Sequence, residues 1–558
     1  MVKRIIRAFG GEFSNVHEAA YLLGFFALLA QILALFRDRL LAHYFGASQA
    51  LDVYYASFRI PDLIFTTVAS LVAGSVLIPF LQEKILDGHD KAKKLIDEVW
   101  SSFLILIVGT SIVTLVFMPQ IVRILFATMS QADLDSVTSL SRLLLLSPIL
   151  LGFSNFLSSI IQAHRRFGLY ALSPVLYNAG IIGGIIFLSP AFGIKGVVVG
   201  VILGSILHAM VQIPFAKSIR LFPRFIYPIA WERMKAVMRL SLPRTLALAG
   251  MNIVILALVA MASRMAEGSI SVFNFAYNLE SGPLSIIGVS YSMAAFPTLA
   301  EYFSNGKKDK FAKHVALSFR HIIFLSLPIT VMFIVIRAQI VRTVLGSGAF
   351  SWSDTRLVAA CVALFSISLV AQNANLLFFR AYYASGKTKI PLIISTVSSI
   401  ITVIISVCLF KVFVWWPNVK DAIDSWLKVQ DIAGTEVLAL PLGFSIGNIL
   451  NLVLFAVFFN REYRGLFDSV KVVLWQGAVA SIAGGFVAYD VLLVIGSITK
   501  LNTLAAVFSQ GLVAGIAGLA TWFVVLKLWD SEEIEELIKH LKARIFKTKV
   551  VSPKKMDI

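Results

Sequence analysis

Charge and cysteine are both scarce in this 558-residue chain. Charged residues make up 14% of it, against roughly 25% in an average soluble protein, which excludes an array of water-soluble domains. The two cysteines, Cys361 and Cys408, lie inside apolar runs, so neither a disulfide scaffold nor a cysteine-rich metal or iron–sulfur protein fits. Enzyme signatures are missing too. There is no Gly-x-Ser-x-Gly elbow, no His-Glu-x-x-His and no Gly-x-x-x-x-Gly-Lys phosphate loop. The eight histidines are scattered, and the most deeply placed, His208, reads as a residue of a helix interface. What the chain has is apolar bulk: 58% hydrophobic residues and a mean hydropathy of +0.85. Its net charge of +18 would suggest nucleic acid in a soluble chain. Here it reads as the positive bias of membrane loops, with no nucleic-acid partner expected. The composition is that of a polytopic, all-α membrane protein.

A spanning helix needs about 20 mostly apolar residues. That ruler gives fourteen candidate spans, at about 17–43, 52–82, 99–122, 139–163, 169–190, 195–215, 236–262, 270–300, 314–336, 356–381, 389–415, 437–460, 470–497 and 502–528. Internal prolines such as Pro148, Pro174, Pro283 and Pro328 are tolerable, because neighbouring helices re-satisfy the freed backbone groups. Lys and Arg concentrate in the even-numbered loops and the termini, most densely in 217–244, which holds Lys217, Arg220, Arg224, Arg233, Lys235, Arg239 and Arg244. By the positive-inside rule both termini are cytoplasmic. The first span is too long for a cleaved signal, and no lipidation box is expected. Beyond Asp530, Ile534, Leu537, Ile538, Leu541 and Ile545 recur at helical spacing among charges. This predicts an amphipathic tail helix, either solvated, on the membrane surface, or bound to a partner.

The chain repeats itself. Pro79 and Glu83 reappear 218 residues on as Pro297 and Glu301, and Ala163 and Gly168 reappear at the same offset as Ala381 and Gly386. Six spans therefore recur as spans 1–6 and 7–12, with two appended. Six is even, so the copies are parallel and related by an axis along the membrane normal. The expected organisation is an N-lobe over 1–216, a basic linker over 217–235, a C-lobe over 236–465, two further spans over 466–529 and a cytoplasmic tail over 530–558.

Ionisable residues at membrane depth are the functional candidates. Gln31, Arg37, Asp38 and Arg39 fall late in span 1, Asp52 opens span 2, and Arg59 lies deeper within it. An uncompensated charge near the bilayer centre costs at least ~2.5–3.5 kcal/mol. These residues therefore sit near headgroups or face a wet, paired interior. Gln31 and Asp38 are seven apart, on one helix face. A cationic cavity here would suit a pyrophosphate, since guanidinium forks bond phosphate oxygens bidentately. Alternatively, Arg37–Asp38 and Asp52–Arg59 are structural ion pairs that pin spans 1 and 2. Arg264, Glu267, Asn278 and Glu280 surround the entry to span 8. Glu280 either couples to a proton or cation, or bonds a neighbouring helix. Asn178, Asn373, Asn375, Asn448 and Asn451 read as interhelical hydrogen-bond glue. Arg165-Arg166 and Lys387/Lys389 are short basic clusters at equivalent repeat positions, suited to anchoring headgroups.

Taken together, Phe36-Arg-Asp38, Tyr44-Phe-Gly-Ala47, Asp52 and Phe58-Arg-Ile-Pro61 resemble the opening helices of the MurJ (MviN) lipid II flippase family. The resemblance continues through Gln162-Ala-His-Arg-Arg-Phe167, Ser173-Pro-Val-Leu-Tyr-Asn178, Gly193-Ile-Lys-Gly196, Gly200, Gly204 and Pro214. It runs on through Gly268-Ser-Ile-Ser271, Pro283, Gly288, Pro297, Gly348-Ala-Phe350, Arg380-Ala-Tyr-Tyr-Ala384 and Pro391, and covers about 20–395 by motif. It implies a transporter, not an enzyme, of the multidrug/oligosaccharidyl-lipid/polysaccharide exporter superfamily, in the bacterial inner membrane. Its cargo would be a polyprenyl-pyrophosphate-linked saccharide moved between leaflets by alternating access, with spans 13 and 14 forming a groove for the lipid tail. Arg37, Arg59, Arg264, Gln31 and Asn278 would then bind substrate, Asp38 and Asp52 would orient and gate, and Glu280 is a candidate for ion coupling. No cofactor or metal is expected; coupling to the membrane potential or to a monovalent cation is. Expected partners are membrane lipids and cell-wall synthesis enzymes.

Four departures from the family pattern stand out. Gln31 replaces a usual Arg, Phe65 and Ser70 stand where an Arg and a Glu are usual, Ala276-Tyr-Asn-Leu279 lacks an Arg, and no acid lies between Met251 and Ser263. These leave two further readings open: a flippase for another lipid-linked saccharide, or a non-transporting scaffold for cell-wall enzymes.

Overall fold

The computed structural model describes residues 16–69, 74–164, 166–228, 231–499 and 503–545. Ser70, Arg165 and the tail beyond Ile545 lie outside the described residues. Among those described, regular structure is helical throughout. In chain order the principal helices are α1 (Val16–Phe45), α2 (Gln49–Val68), α3 (Gly74–Leu86), α4 (His89–Leu125), α5 (Gln131–Leu144), α6 (Leu146–Ala163) and α7 (Phe167–Gly183). They continue as α8 (Ile194–Met210), α9 (Trp231–Ala262), α10 (Ser269–Pro283), α11 (Ser290–Ser304), α12 (Lys308–Val335), α13 (Trp352–Ser366) and α14 (Leu369–Ala384). The last six are α15 (Lys389–Trp415), α16 (Pro417–Leu427), α17 (Ala439–Tyr463), α18 (Leu466–Ile498), α19 (Leu504–Leu528) and α20 (Glu532–Ile545).

Ten helical segments among the described residues are long and apolar enough to cross a membrane, or eleven if the bent pair α13–α14 is one span. The chain is a multi-pass membrane protein, with ten or eleven of the fourteen expected spans present among the described residues. The remaining expected spans, 1, 2 and 7, also fall on helices: α1, α2 with α3, and α9. Residues 19–36 of α1 include no charged side chain, whereas α2 carries Asp52, Arg59 and Asp62. Two helices are interrupted by π-helical turns, at Gly184–Leu188 after α7 and at Leu284–Val289 directly after Pro283.

The helices fall into two compact units. The first comprises 1–279, 344–361 and 388–447, and the second 280–343, 362–387 and 448–558. In the first unit α7 packs against both α1 and α8, and α9 packs against α2 and α15. Glycine sets the α7–α8 distance. A Cβ at Gly180 or Gly204 would strike the backbone of the facing helix, and the same holds for Gly200 against Gly184. Small residues at four-residue spacing let helix backbones touch where water gives no hydrophobic drive. Between α6 and α8, Ser154 bonds His208 Nδ1 at 2.7 Å and Gln212 donates to Ser154 and Ser173, which places His208 in a helix interface. The chain after α8 is tied to α4: Asp97 accepts the Arg224 amide at 2.8 Å and Ser101 accepts that of Ile226 at 2.8 Å. In the second unit α18 packs on α12 and α19, and α14 on α11 and α12. Asn373 accepts the Gly288 amide at 3.0 Å and donates to Ser326, while Asn375 donates to the Asn448 carbonyl. These amides are the interhelical glue their type suggests.

Candidate functional site

The first unit holds a cavity of about 310 Å³ walled by α1, α2, α7, α9 and α10. Arg37, Asp38, Arg59 and Asp62 supply its charges, and Tyr54, Tyr177 and Tyr277 much of its remaining wall. Helical periodicity makes this convergence possible. Tyr55, Arg59 and Asp62 are four and three apart along α2, hence on one face.

Each charged group has a distinct environment. Asp38 Oδ1 accepts from Arg37 Nε at 2.9 Å and from Arg37 Nη2 at 2.8 Å, while its Oδ2 accepts from Asn278 Nδ2 at 3.0 Å. Arg37 also donates through Nη1 to Asn178 Oδ1 at 3.3 Å. Asn178 is therefore more than glue, because it holds the guanidinium. Arg59 donates through Nη2 to Asn274 Oδ1, but among the described residues its buried Nε has no hydrogen-bond partner, nor has the nearby Tyr55 hydroxyl. Leaving a buried donor of a charged group unpaired costs about 1–3 kcal/mol or more. Such a group is poised to donate to a ligand oxygen. Asp62 exposes its carboxylate to the cavity one turn from Arg59 without closing an ion pair with it.

Asp52 lies elsewhere. It is 5% exposed and receives three hydrogen bonds at the start of α10: from the Gly268 amide at 2.8 Å, the Ser271 amide at 2.7 Å and the Ser271 hydroxyl at 2.6 Å. A carboxylate on otherwise unbonded first-turn amides is a helix cap supplied from another element. The Asp52–Arg59 pair that their spacing allows is not formed. Around this cap the turns of the first unit meet backbone to backbone. Gly268, at φ +85°, lies against Ala47, and the Ala349 amide donates to the His43 carbonyl at 2.9 Å.

The structure thus brings Arg37, Asp38, Arg59 and Asn278 into one cavity and leaves the other candidates outside its lining. Arg264 is exposed, Gln31 is half-buried on α1, and Asp52 caps α10. Glu280, 2% exposed, accepts a hydrogen bond from Gln372 Nε2 in the second unit. The sequence reading omitted Asp62 and Asn274, and with Asp62 the expectation of a cationic chamber fails. Two arginines face two aspartates, so the cavity is balanced in charge. Asp62 was findable: three residues after Arg59, it is a further carboxylate inside a span. Asn274 carries no comparable signal.

The fold is that of an all-helical, multi-pass membrane protein with a polar cavity among its helices. The sequence model of the family "Lipid II flippase MurJ" matches residues 41–416, and the chain belongs to that family. Among similar curated proteins, the probable lipid II flippase MurJ of Bdellovibrio bacteriovorus is 28% identical over 395 residues, which cover 69% of this chain and 75% of that protein. The lipid II flippase MurJ of Burkholderia cenocepacia is 24% identical over 400 residues, covering 70% and 77%. Among solved structures, a lipid II flippase MurJ in an inward closed conformation superposes with a TM-score of 0.72 at 22% identity, over 92% of this chain and 100% of the other. An inward-facing multidrug resistance MATE family transporter of the MOP superfamily gives 0.63 at 14% identity, over 79% and 96%. These two likenesses speak for the fold alone.

Proposed function

We propose that this chain moves lipid II, a polyprenyl-pyrophosphate-linked saccharide, from the inner to the outer leaflet of the bacterial cytoplasmic membrane by alternating access. Family membership supports the reading, and the observation that carries it is the half-committed guanidinium of Arg59, buried in a cavity with its Nε unpaired. Arg59 offers that donor to a phosphate oxygen. Arg37 offers less, because Asp38 and Asn178 already hold it. Asp38 orients Arg37, and Asp62 keeps the empty cavity neutral. A pyrophosphate would then enter by displacing the influence of a carboxylate rather than by filling a basic well. Such a site binds a dianion loosely enough to release it, which transport requires: a cargo held equally in both states shifts nothing. The lipid tail stays in apolar surroundings throughout, since each methylene exposed to water costs about 0.8 kcal/mol.

The pattern of basic loops supports cytoplasmic termini. Glu280, buried with a neutral partner, is the group best placed to take up a proton or cation, and the membrane potential is the competing drive. Cell-wall synthesis enzymes are the partners this task would bring to the protein. The charge balance of the cavity, together with Gln31, Phe65 and Asn278, favours one alternative: a flippase for a related lipid-linked saccharide. Complementation separates the two. In cells depleted of their own flippase, this chain restores lipid II at the outer leaflet, and Arg59→Ala does not despite normal membrane insertion. A normally inserted wild-type chain that leaves outer-leaflet lipid II absent would move the assignment to the other cargo.

A further inference from the structure

The second unit contains a cavity of its own, about 580 Å³, where three spans end. The first turns of α12, the last turn of α17 and the start of α18 wall it. Three exposed cations face this space: Lys308, Lys313 and Arg464. None of them makes an ion pair among the described residues. Of the two acids in the lining, Glu462 is neutralised from within the protein by Lys387, whose ammonium also lies 6.0 Å from the Tyr463 ring. Asp309 alone remains against three cations. Behind the charges stands a rigid apolar wall, in which Phe311 packs on Tyr463 at 5.3 Å and Phe459 on Tyr463 at 4.8 Å between ring centroids. Phe311 and Phe459 are buried, as is Leu466 of the lining. The shape is held by the α17–α18 turn, where Gly465 takes φ +92° and the Leu466 amide donates to Asn460 Oδ1 at 2.9 Å.

We propose that this cavity is a binding site for the phosphodiester headgroup of an anionic phospholipid, separate from the cargo cavity. Its volume falls in the usual range for ligand sites. It sits at the ends of spans, where headgroups lie, on the side that the basic loops mark as cytoplasmic. Uncompensated Lys and Arg between membrane helices at that level recognise phosphate by charge, and with Asp309 set against Lys308, Lys313 and Arg464 the lining keeps a net positive charge. The same α18 continues away from the cavity with Phe467, Val472, Leu474 and Trp475 exposed, which gives acyl chains an apolar path. A soluble phosphate has no use for that path, and this favours the lipid over a free anion.

The test measures lipid binding by the purified full-length protein in nanodiscs, using native mass spectrometry with short-chain phosphatidylglycerol, phosphatidylcholine and soluble glycerol phosphate as probes. Phosphatidylglycerol is retained in preference to phosphatidylcholine. The triple variant K308Q/K313Q/R464Q weakens its retention by about tenfold or more, whereas K308R/K313R/R464K and a control neutralised elsewhere, K195Q/K411Q/K428Q, retain it. Unchanged retention in the triple Gln variant overturns the site. Glycerol phosphate bound as tightly as the lipid, and lost in the same variant, overturns the lipid assignment. Neither readout depends on lipid II transport.

Discussion

At the scale of single residues, the two arginines of the cavity are not equivalent. Among the described residues, Arg37 is anchored by hydrogen bonds to Asp38 and Asn178, and Arg59 by one to Asn274. Arg59→Lys keeps the charge but removes the unpaired Nε and the planar fork. It is therefore expected to lower lipid II transport in proteoliposomes by about tenfold or more, the effect of roughly 1.4 kcal/mol, while Lys527→Arg leaves transport unchanged. Asp52 predicts a different phenotype. Asp52→Ala strips three hydrogen bonds from the start of α10 and should lower the stability of the purified protein by about 2 kcal/mol, read as an earlier thermal transition. An unaltered transition would contradict the capping account. The sequence marked Asp52 and Arg59 as costly and therefore meaningful, but it could not pair them correctly. Their partners lie 216 and 215 residues away, and one of them is a backbone amide, which no side-chain motif encodes. Arg37–Asp38, adjacent in the chain, was readable for the opposite reason.

At the scale of helices, the glycines of α7 and α8 make a testable distinction. Gly200→Ala puts a Cβ onto the Gly184 backbone and should cost about 1–3 kcal/mol through overpacking. Gly183→Ala, whose Cβ would meet nothing nearby, should be neutral or slightly stabilising; equal melting of the two variants would refute the close approach. The tail helix α20 was legible as amphipathic, but its docking was not. Glu533 and Glu532 bond Arg320 of α12, Glu536 bonds His321, and Ile534 is buried. Burial alone would raise the Glu533 carboxyl, yet hydrogen bonds from Arg320, its own backbone and Ser531, with the Arg320 charge, hold it below its ordinary value. A depressed folded value means that this contribution is complete above the unfolded pKa, about 4.3, and is lost as pH falls through the folded one. Hydrogen exchange across 532–545 should therefore stay slow at neutral pH and speed up below about pH 4. Glu533→Gln should exchange faster at neutral pH as well; slow exchange in that variant would show that the ion pair does not hold the tail.

At the scale of the whole molecule, the all-helical membrane class was the most readable feature, because a span must bury its own backbone polar groups and advertises itself by some 20 apolar residues. The span that reads least plainly is the one that bears cavity charges: α2 holds Arg59 and Asp62, besides Asp52. Charge balance in the cavity was not readable, since it depends on which faces of α1 and α2 turn inward together. The account rests on Arg59 gripping a pyrophosphate in the first unit's cavity. Its most direct test is equilibrium binding of undecaprenyl pyrophosphate and undecaprenyl monophosphate to the purified wild type and Arg59→Ala. The account predicts that the wild type prefers the pyrophosphate and that the substitution abolishes most of that preference while sparing the weaker monophosphate binding. Equal binding of the two lipids by the wild type, or a preference that survives in Arg59→Ala, would contradict it.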